Sequence, residues 1–303
     1  MRLPSLFAFL VAAIPFTAFP DTYKPLQFGP YMVHHITFGA NPAGYRYALT
    51  NGYYRFKIGW IEPILENGGG ILKDTYFETD GEANSSPFQS DVGTTFNMKP
   101  IRYLEVGLSY NRLIFHNSLV SFAAPGEDMI DLDRAQPGDL MKLDREFAGA
   151  DVFTFQANFT FDIGPTQLFV MGSRALWDID VPGKDFVYEY SNDLVIKPRD
   201  RVNNVLAKWS LDLTGFSKGP AYTFTGLAIR NQYWSTTRTD QEKNQISAGI
   251  TGIRLGRNSE RLRRGLDVSV GYWTRHPQLA GDDWAKNLSI LLDWKLSVQF
   301  LKL

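Results

Sequence analysis

Residues 151–163, DVFTFQANFTFDI, alternate without a break. Phe153, Phe155, Ala157, Phe159, Phe161 and Ile163 are apolar; Thr154, Gln156, Asn158, Thr160 and Asp162 between them are polar. A period of two is the mark of a strand with one face in a nonpolar medium and the other in a polar one. The same alternation runs through 53–60, 87–98, 101–111, 203–215, 262–273 and the tail 287–303. In the tail Leu288, Ile290, Leu292, Trp294, Leu296, Val298 and Phe300 share one parity. Segments 166–177, 221–235 and 242–255 read as blurred strands. In the last of them the apolar parity passes from Ile246, Ala248 and Ile250 to Ile253 and Leu255, which predicts a bulge near Gly252. No helical periodicity is sustained after residue 30.

Two architectures accommodate long alternating strands: a soluble sheet with its apolar face inward, or a membrane barrel with its apolar face outward. Length separates them. Soluble strands run to about five or six residues, whereas a tilted membrane strand needs roughly 9–11. Charges sit on the polar parity of the clean segments, as they must if a Lys or Arg facing lipid at mid-bilayer costs about 2–4 kcal/mol. The connections also alternate. Short turns are expected near 97–101, 163–166, 216–220 and 256–261, and longer loops near 117–150, 178–202, 236–241 and 275–285. Short turns on one side and long loops on the other are the habit of membrane barrels. The predicted fold class is therefore all-β: a transmembrane, antiparallel, up-and-down barrel of about twelve strands, within a range of roughly ten to fourteen. Its first strand is expected near Tyr45, with Leu49-Thr-Asn-Gly-Tyr-Tyr54 as the first outer turn.

Arg2 followed by the apolar run Leu3 to Phe16 reads as a secretory signal peptide. The expected organisation is a signal peptide over 1–20, a periplasmic lead-in over 21–44 and a barrel over 45–303. Cysteine is absent, which excludes disulfide frameworks, Cys-ligated zinc and thiol catalysis. A net charge of −1 offers no whole-chain argument for a nucleic-acid partner. Asn67-Gly-Gly-Gly70 lacks the strand-to-helix setting of a phosphate cradle, and no cofactor is expected.

In its leader, alternation, loop asymmetry and final apolar strand the chain resembles the bacterial outer-membrane β-barrel proteins as a class. That resemblance implies residence in the bacterial outer membrane and contact with its lipid and lipopolysaccharide. It also implies recognition of the C-terminal strand by barrel-insertion machinery. Such chains usually end on an aromatic residue; here Leu301-Lys302-Leu303 follow Phe300.

The leading functional expectation is a non-enzymatic pore for small polar solutes. Its expected lumen residues are Arg55, Lys57, Asp91, Glu105, Lys208, Asp212, Asp267, Asp293 and Lys295. One alternative is a non-conducting structural, adhesion or secretion-accessory barrel that acts through its outer loops. Trp60, Trp177, Trp234, Trp273 and Trp284 fall near strand ends and are expected to form aromatic girdles at the membrane interfaces. His116 and Ser118 are two apart, so a strand would set them on one face with the imidazole able to take the hydroxyl proton. This His-x-Ser resembles that of outer-membrane phospholipase A and the lipid A deacylase, which implies a lipid hydrolase as a further alternative. Asp128, Asp131 and Asp133 offer oxygen ligands for calcium, without the spacing of a dedicated loop.

Overall fold

The computed structural model describes residues 29–40, 53–65, 68–85, 89–115, 148–180, 187–189, 194–213, 226–254, 262–275 and 288–299. Its strands are β1 (Gly29–Ala40), β2 (Tyr53–Pro63), β3 (Tyr76–Ser85), β4 (Gln89–Ile101), β5 (Leu104–Phe115), β6 (Ala148–Ile163) and β7 (Thr166–Asp180). After a small hairpin of β8 (Val187–Glu189) and β9 (Leu194–Ile196) come β10 (Asp200–Asp212), β11 (Gly226–Thr236), β12 (Glu242–Arg254), β13 (Leu262–Arg275) and β14 (Leu288–Gln299). Twelve of these close into an antiparallel barrel in which β1 pairs with both β2 and β14; β8 and β9 pair only with each other. Closure leaves no sheet edge, which is what a strand in hydrocarbon requires, since lipid offers no partner to an open backbone group.

The barrel begins at Gly29, not near Tyr45 as the alternation suggests, so much of the expected lead-in is β1. In GPYMVHHITFGA the paired histidines and Pro30 interrupt the apolar alternation that reveals the other strands. The expected outer turn at 49–54 lies largely outside the described residues, with β2 starting at Tyr53. β3 is hidden in the sequence for a different reason: its apolar parity offers only Phe77 and Ala83, while Glu78, Asp80 and Glu82 hold the other. The parity switch in β12 is a register shift between Ile250 and Ile253.

Both chain ends of the barrel, the start of β1 and the finish of β14, lie at one rim, which also carries the two short turns 102–103 and 164–165. The ends of β5 and β7 and the starts of β6 and β10 belong to the opposite rim, called here the loop end. The apolar faces point outward. Leu108, Val92, Phe153 and Phe155 are 54–58% exposed, whereas Asp80 and Asn97 on the other face are 4% and 5% exposed. Neighbouring outward rings pack on each other, as Tyr110 and Phe153 do at 4.9 Å and Phe77 and Phe96 at 5.8 Å. Such a surface is tolerable only against lipid. The chain folds as a membrane-spanning β-barrel.

Candidate functional site

Alternation that sends apolar residues to lipid sends polar ones to the interior, and there the β1–β6 wall builds a connected network. Lys57 on β2 bridges two carboxylates of β3, with Nζ 2.7 Å from Asp80 Oδ2 and 3.5 Å from Glu78 Oε1. Tyr31 on β1 donates its hydroxyl to Glu78 and, at 3.4 Å, to Asp80 Oδ2. Asn97 on β4 donates to Glu78 Oε2 at 2.8 Å, and Gln156 on β6 donates to Asn97 Oδ1 at 3.4 Å. Nearer the loop end Arg55 donates to Asn84 at 2.9 Å and stands 3.7 Å from Glu82, while Asn84 donates to Asp91 at 2.5 Å. Nearer the terminal rim Glu105 accepts from Tyr76 and, at 3.0 Å, from Asn158.

Two inward glycines give this network its reach. A Cβ on Gly59 would lie 2.7 Å from the Tyr31 hydroxyl and 2.6 Å from Asp80 Cβ, so its bare backbone is the passage by which Tyr31 crosses β2. Gly107 likewise leaves room for Asn97 and Gln156.

Among the residues expected from sequence, Arg55, Lys57, Asp91 and Glu105 fall in this one wall. Lys208 and Asp212 lie across the ring on β10, and the register sets Lys208 opposite Arg230. Asp267 on β13 stands opposite Asp293 on β14, and Lys295 opposite Gly265. Sequence reading missed Tyr31, Tyr76, Glu78, Asp80, Glu82 and Asn97. The available signal was polar rather than apolar alternation, Glu-x-Asp-x-Glu over 78–82. His116, Ser118, Asp128, Asp131, Asp133 and Trp284 lie outside the described residues, and among the described ones no group of His, Cys, Asp and Glu is arranged to hold a metal ion.

The loop end has an apolar interior layer in place of the expected tryptophan girdle. Trp177 and Trp234 are buried, and Trp273 packs against them from the inward parity of β13. They share inward faces with Ile179, Ala228 and Ser269, while the outward neighbours are Leu176, Ile229 and Val270. Parity thus overrules the preference of indole for an interface. The β8–β9 hairpin completes this layer: Leu194 and Ile196, with no exposed surface, pack among Leu113, Ala150, Val152, Trp177, Ile179, Val202 and Trp234. Lys243 Nζ lies 4.3 Å from the Trp234 ring and 5.2 Å from that of Trp273, a cation–π arrangement strengthened by burial. Trp60 does sit outward near the terminal rim, where its indole N–H donates to Glu62 at 2.7 Å.

No family model and no curated protein matches the sequence. Among solved structures, the chain is similar to the beta domain of the Bordetella autotransporter BrkA, at 12% identity and a TM-score of 0.45, covering 90% of this chain and 99% of that one. It is similar also to the translocator domain of the autotransporter NalP from Neisseria meningitidis, at 10% identity and TM-score 0.41 over 98% and 95% of the two chains. LpxR from Salmonella typhimurium aligns at 8% identity and TM-score 0.38, over 88% of this chain and 100% of that one.

Proposed function

We propose that the barrel is a pore for small polar solutes, gated at its loop end. The observation that carries this reading is the division of charge around the ring. The β2–β5 wall sets Glu78, Asp80, Glu82, Asp91 and Glu105 against Arg55 and Lys57, whereas β10–β12 set Lys208, Arg230 and Lys243 against Asp212. In the closed order β3 and β11 stand six places apart, on opposite walls. A field directed across a narrow, low-dielectric passage orients dipolar solutes and offsets part of their lost hydration. Mixed signs along the path favour zwitterionic or neutral polar solutes over ions of either sign.

Leu194 and Ile196 set an apolar barrier at the mouth, and an apolar constriction gates by excluding water. The purified full chain in a planar bilayer is expected to show brief stepwise openings. Leu194→Ser with Ile196→Ser is expected to lengthen them. Silence of both proteins, each with the heat-modifiable gel mobility of a folded barrel, would overturn the pore.

The pairing of Lys57 and Arg55 within their own wall favours a second reading, a closed barrel acting through loops such as 116–147. That barrel stays silent even when the hairpin is loosened. A lipid hydrolase using His116 and Ser118 predicts instead phospholipid or lipid A cleavage that disappears in Ser118→Ala.

A further inference from the structure

The outward face changes character toward the loop end. Along β6 its outward positions run Phe161, Phe159, Ala157, Phe155, Phe153 and then Asp151. Along β10 they run Trp209, Ala207, Val205, then Asn203 and Arg201. A charge facing lipid costs about 2–4 kcal/mol at mid-bilayer and close to nothing at the interface. The hydrocarbon boundary therefore crosses β6 between Phe153 and Asp151, and β10 between Val205 and Asn203.

At that boundary and beyond it four exposed arginines gather, the deepest being Arg174, which has Leu176 one outward position nearer the loop end and pairs in register with Phe155 on one side and Asn203 on the other. Arg174 on β7 donates to Asn203 Oδ1 at 2.7 Å. Arg201 is the next outward position along β10, and Arg199 precedes the strand with a φ of 60°. Arg238, in the turn between β11 and β12, reaches back so that Nη1 donates to Pro198 O at 2.5 Å. The buried carboxylate of Asp200 holds the group in place. Its Oδ1 accepts the backbone N–H of Arg201 at 2.7 Å, of Thr237 at 3.1 Å and of Arg238 at 2.8 Å, and its Oδ2 accepts the Thr239 hydroxyl at 3.2 Å. That carboxylate is thus occupied by amides and a hydroxyl. Elsewhere on this rim arginines are matched with acids, Arg112 with Asp151 at 2.7 Å and Arg275 with Glu242. Among the described residues none of the four is ion-paired, and the exposed Asp178, Asp180 and Asp240 of the same rim make no ion pair with them.

We propose that Arg174, Arg199, Arg201 and Arg238 form a binding site for the phosphate groups of a phosphorylated glycolipid in the outer leaflet. The planar guanidinium fork suits phosphate oxygens. Arg199, Arg201 and Arg238 sit at the depth where headgroup phosphates begin, on a face already turned to lipid, and Arg174 adds its charge from one outward position below Leu176. The fixing of two of the arginine backbones through Asp200 reduces the order that must be imposed on binding. This site depends on the membrane placement of the barrel and not on whether its lumen conducts.

The test uses the full chain in detergent, with retention of bis-phosphorylated lipid A read by native mass spectrometry. Retention is expected for the wild type and for R112S/R275S, and is expected to fall about tenfold in R199S/R201S/R238S. Fully dephosphorylated lipid A should not be retained. Equal retention by the triple variant, equal loss in R112S/R275S, retention of the dephosphorylated lipid, or displacement of the glycolipid by millimolar inorganic phosphate would each overturn the site. If the triple variant lacks heat-modifiable mobility, R174Q/R201Q replaces it; the same fall is expected, and unchanged retention overturns the site in the same way.

Discussion

Tyr31 and Asp80 belong to strands that do not touch, yet the Tyr31 hydroxyl lies 3.4 Å from Asp80 Oδ2, because Gly59 on the strand between them carries no side chain. The contact ties β1, the strand that closes the barrel, to the acidic β3. Tyr31→Phe is expected to lower stability by about 1.5 kcal/mol, the scale of hydrogen bonds to charged acceptors. Gly59→Val should cost more, about 2–3 kcal/mol, since its side chain must displace both the phenol and Asp80. Urea unfolding in lipid vesicles measures both, and an unchanged midpoint for Gly59→Val would remove the proposed passage.

Lys57 is the counter-charge of Glu78 and Asp80. Its removal in Lys57→Met strands a buried carboxylate, which costs about 3–5 kcal/mol in a fully buried pair and about 2–4 kcal/mol here, because the ammonium keeps 22% of its side-chain surface exposed. Lys57→Met with Asp80→Leu is expected to recover much of the loss, giving a coupling of about 1–2 kcal/mol in a double-mutant cycle. Additive losses would mean that the two side chains do not act as a pair.

Phe155 and Gln156 are adjacent in sequence and lie on opposite faces of one strand. Phe155→Arg sets a cation on the lipid face, level in register with the outward Arg174, and should cost about 1–3 kcal/mol, between the interfacial and mid-bilayer values, whereas Gln156→Arg meets a polar interior and should cost under about 1 kcal/mol. Equal costs, read from vesicle unfolding, would reverse the assignment of the two faces.

Strands such as β6, whose outward residues include Phe153, Phe155, Phe159 and Phe161, stand out in the sequence because lipid imposes one chemistry on one parity. β3 does not, because Thr79, Gly81 and Ala83 on its outward parity are small or polar, and in β1 Pro30 and the paired histidines interrupt the alternation, yet both close the ring through their backbones. The interior site was half legible. Charges on the polar parity identify a wall, but the partners of Lys57 come from β3, and only the register between strands brings them together. The tryptophans show the limit of a residue-type preference. Trp273 has the parity of Asp267 and Ser269, so its inward direction was readable from the alternation, and the interfacial preference of the indole ring was the weaker guide.

Trp60 and Trp209 are outward, at 47% and 40% exposure, while Trp177 and Trp234 are buried beneath the β8–β9 hairpin. Variants that retain one tryptophan each, refolded into vesicles of brominated lipid, should divide into two classes. Trp209, in mid-strand, and Trp60, near the terminal rim, should be strongly quenched; Trp177 and Trp234 should keep most of their emission. The buried pair should also resist acrylamide in water, since Leu194 and Ile196 cover them, and should become accessible when both are changed to Ser. Loosening the hairpin exposes about two large side chains' worth of packing, a cost of about 2–5 kcal/mol each when buried Leu or Ile is truncated, so the variants must first show folded-barrel mobility. Strong lipid quenching of Trp177 or Trp234 would return them to the outer girdle and take away the apolar layer on which the gated mouth rests.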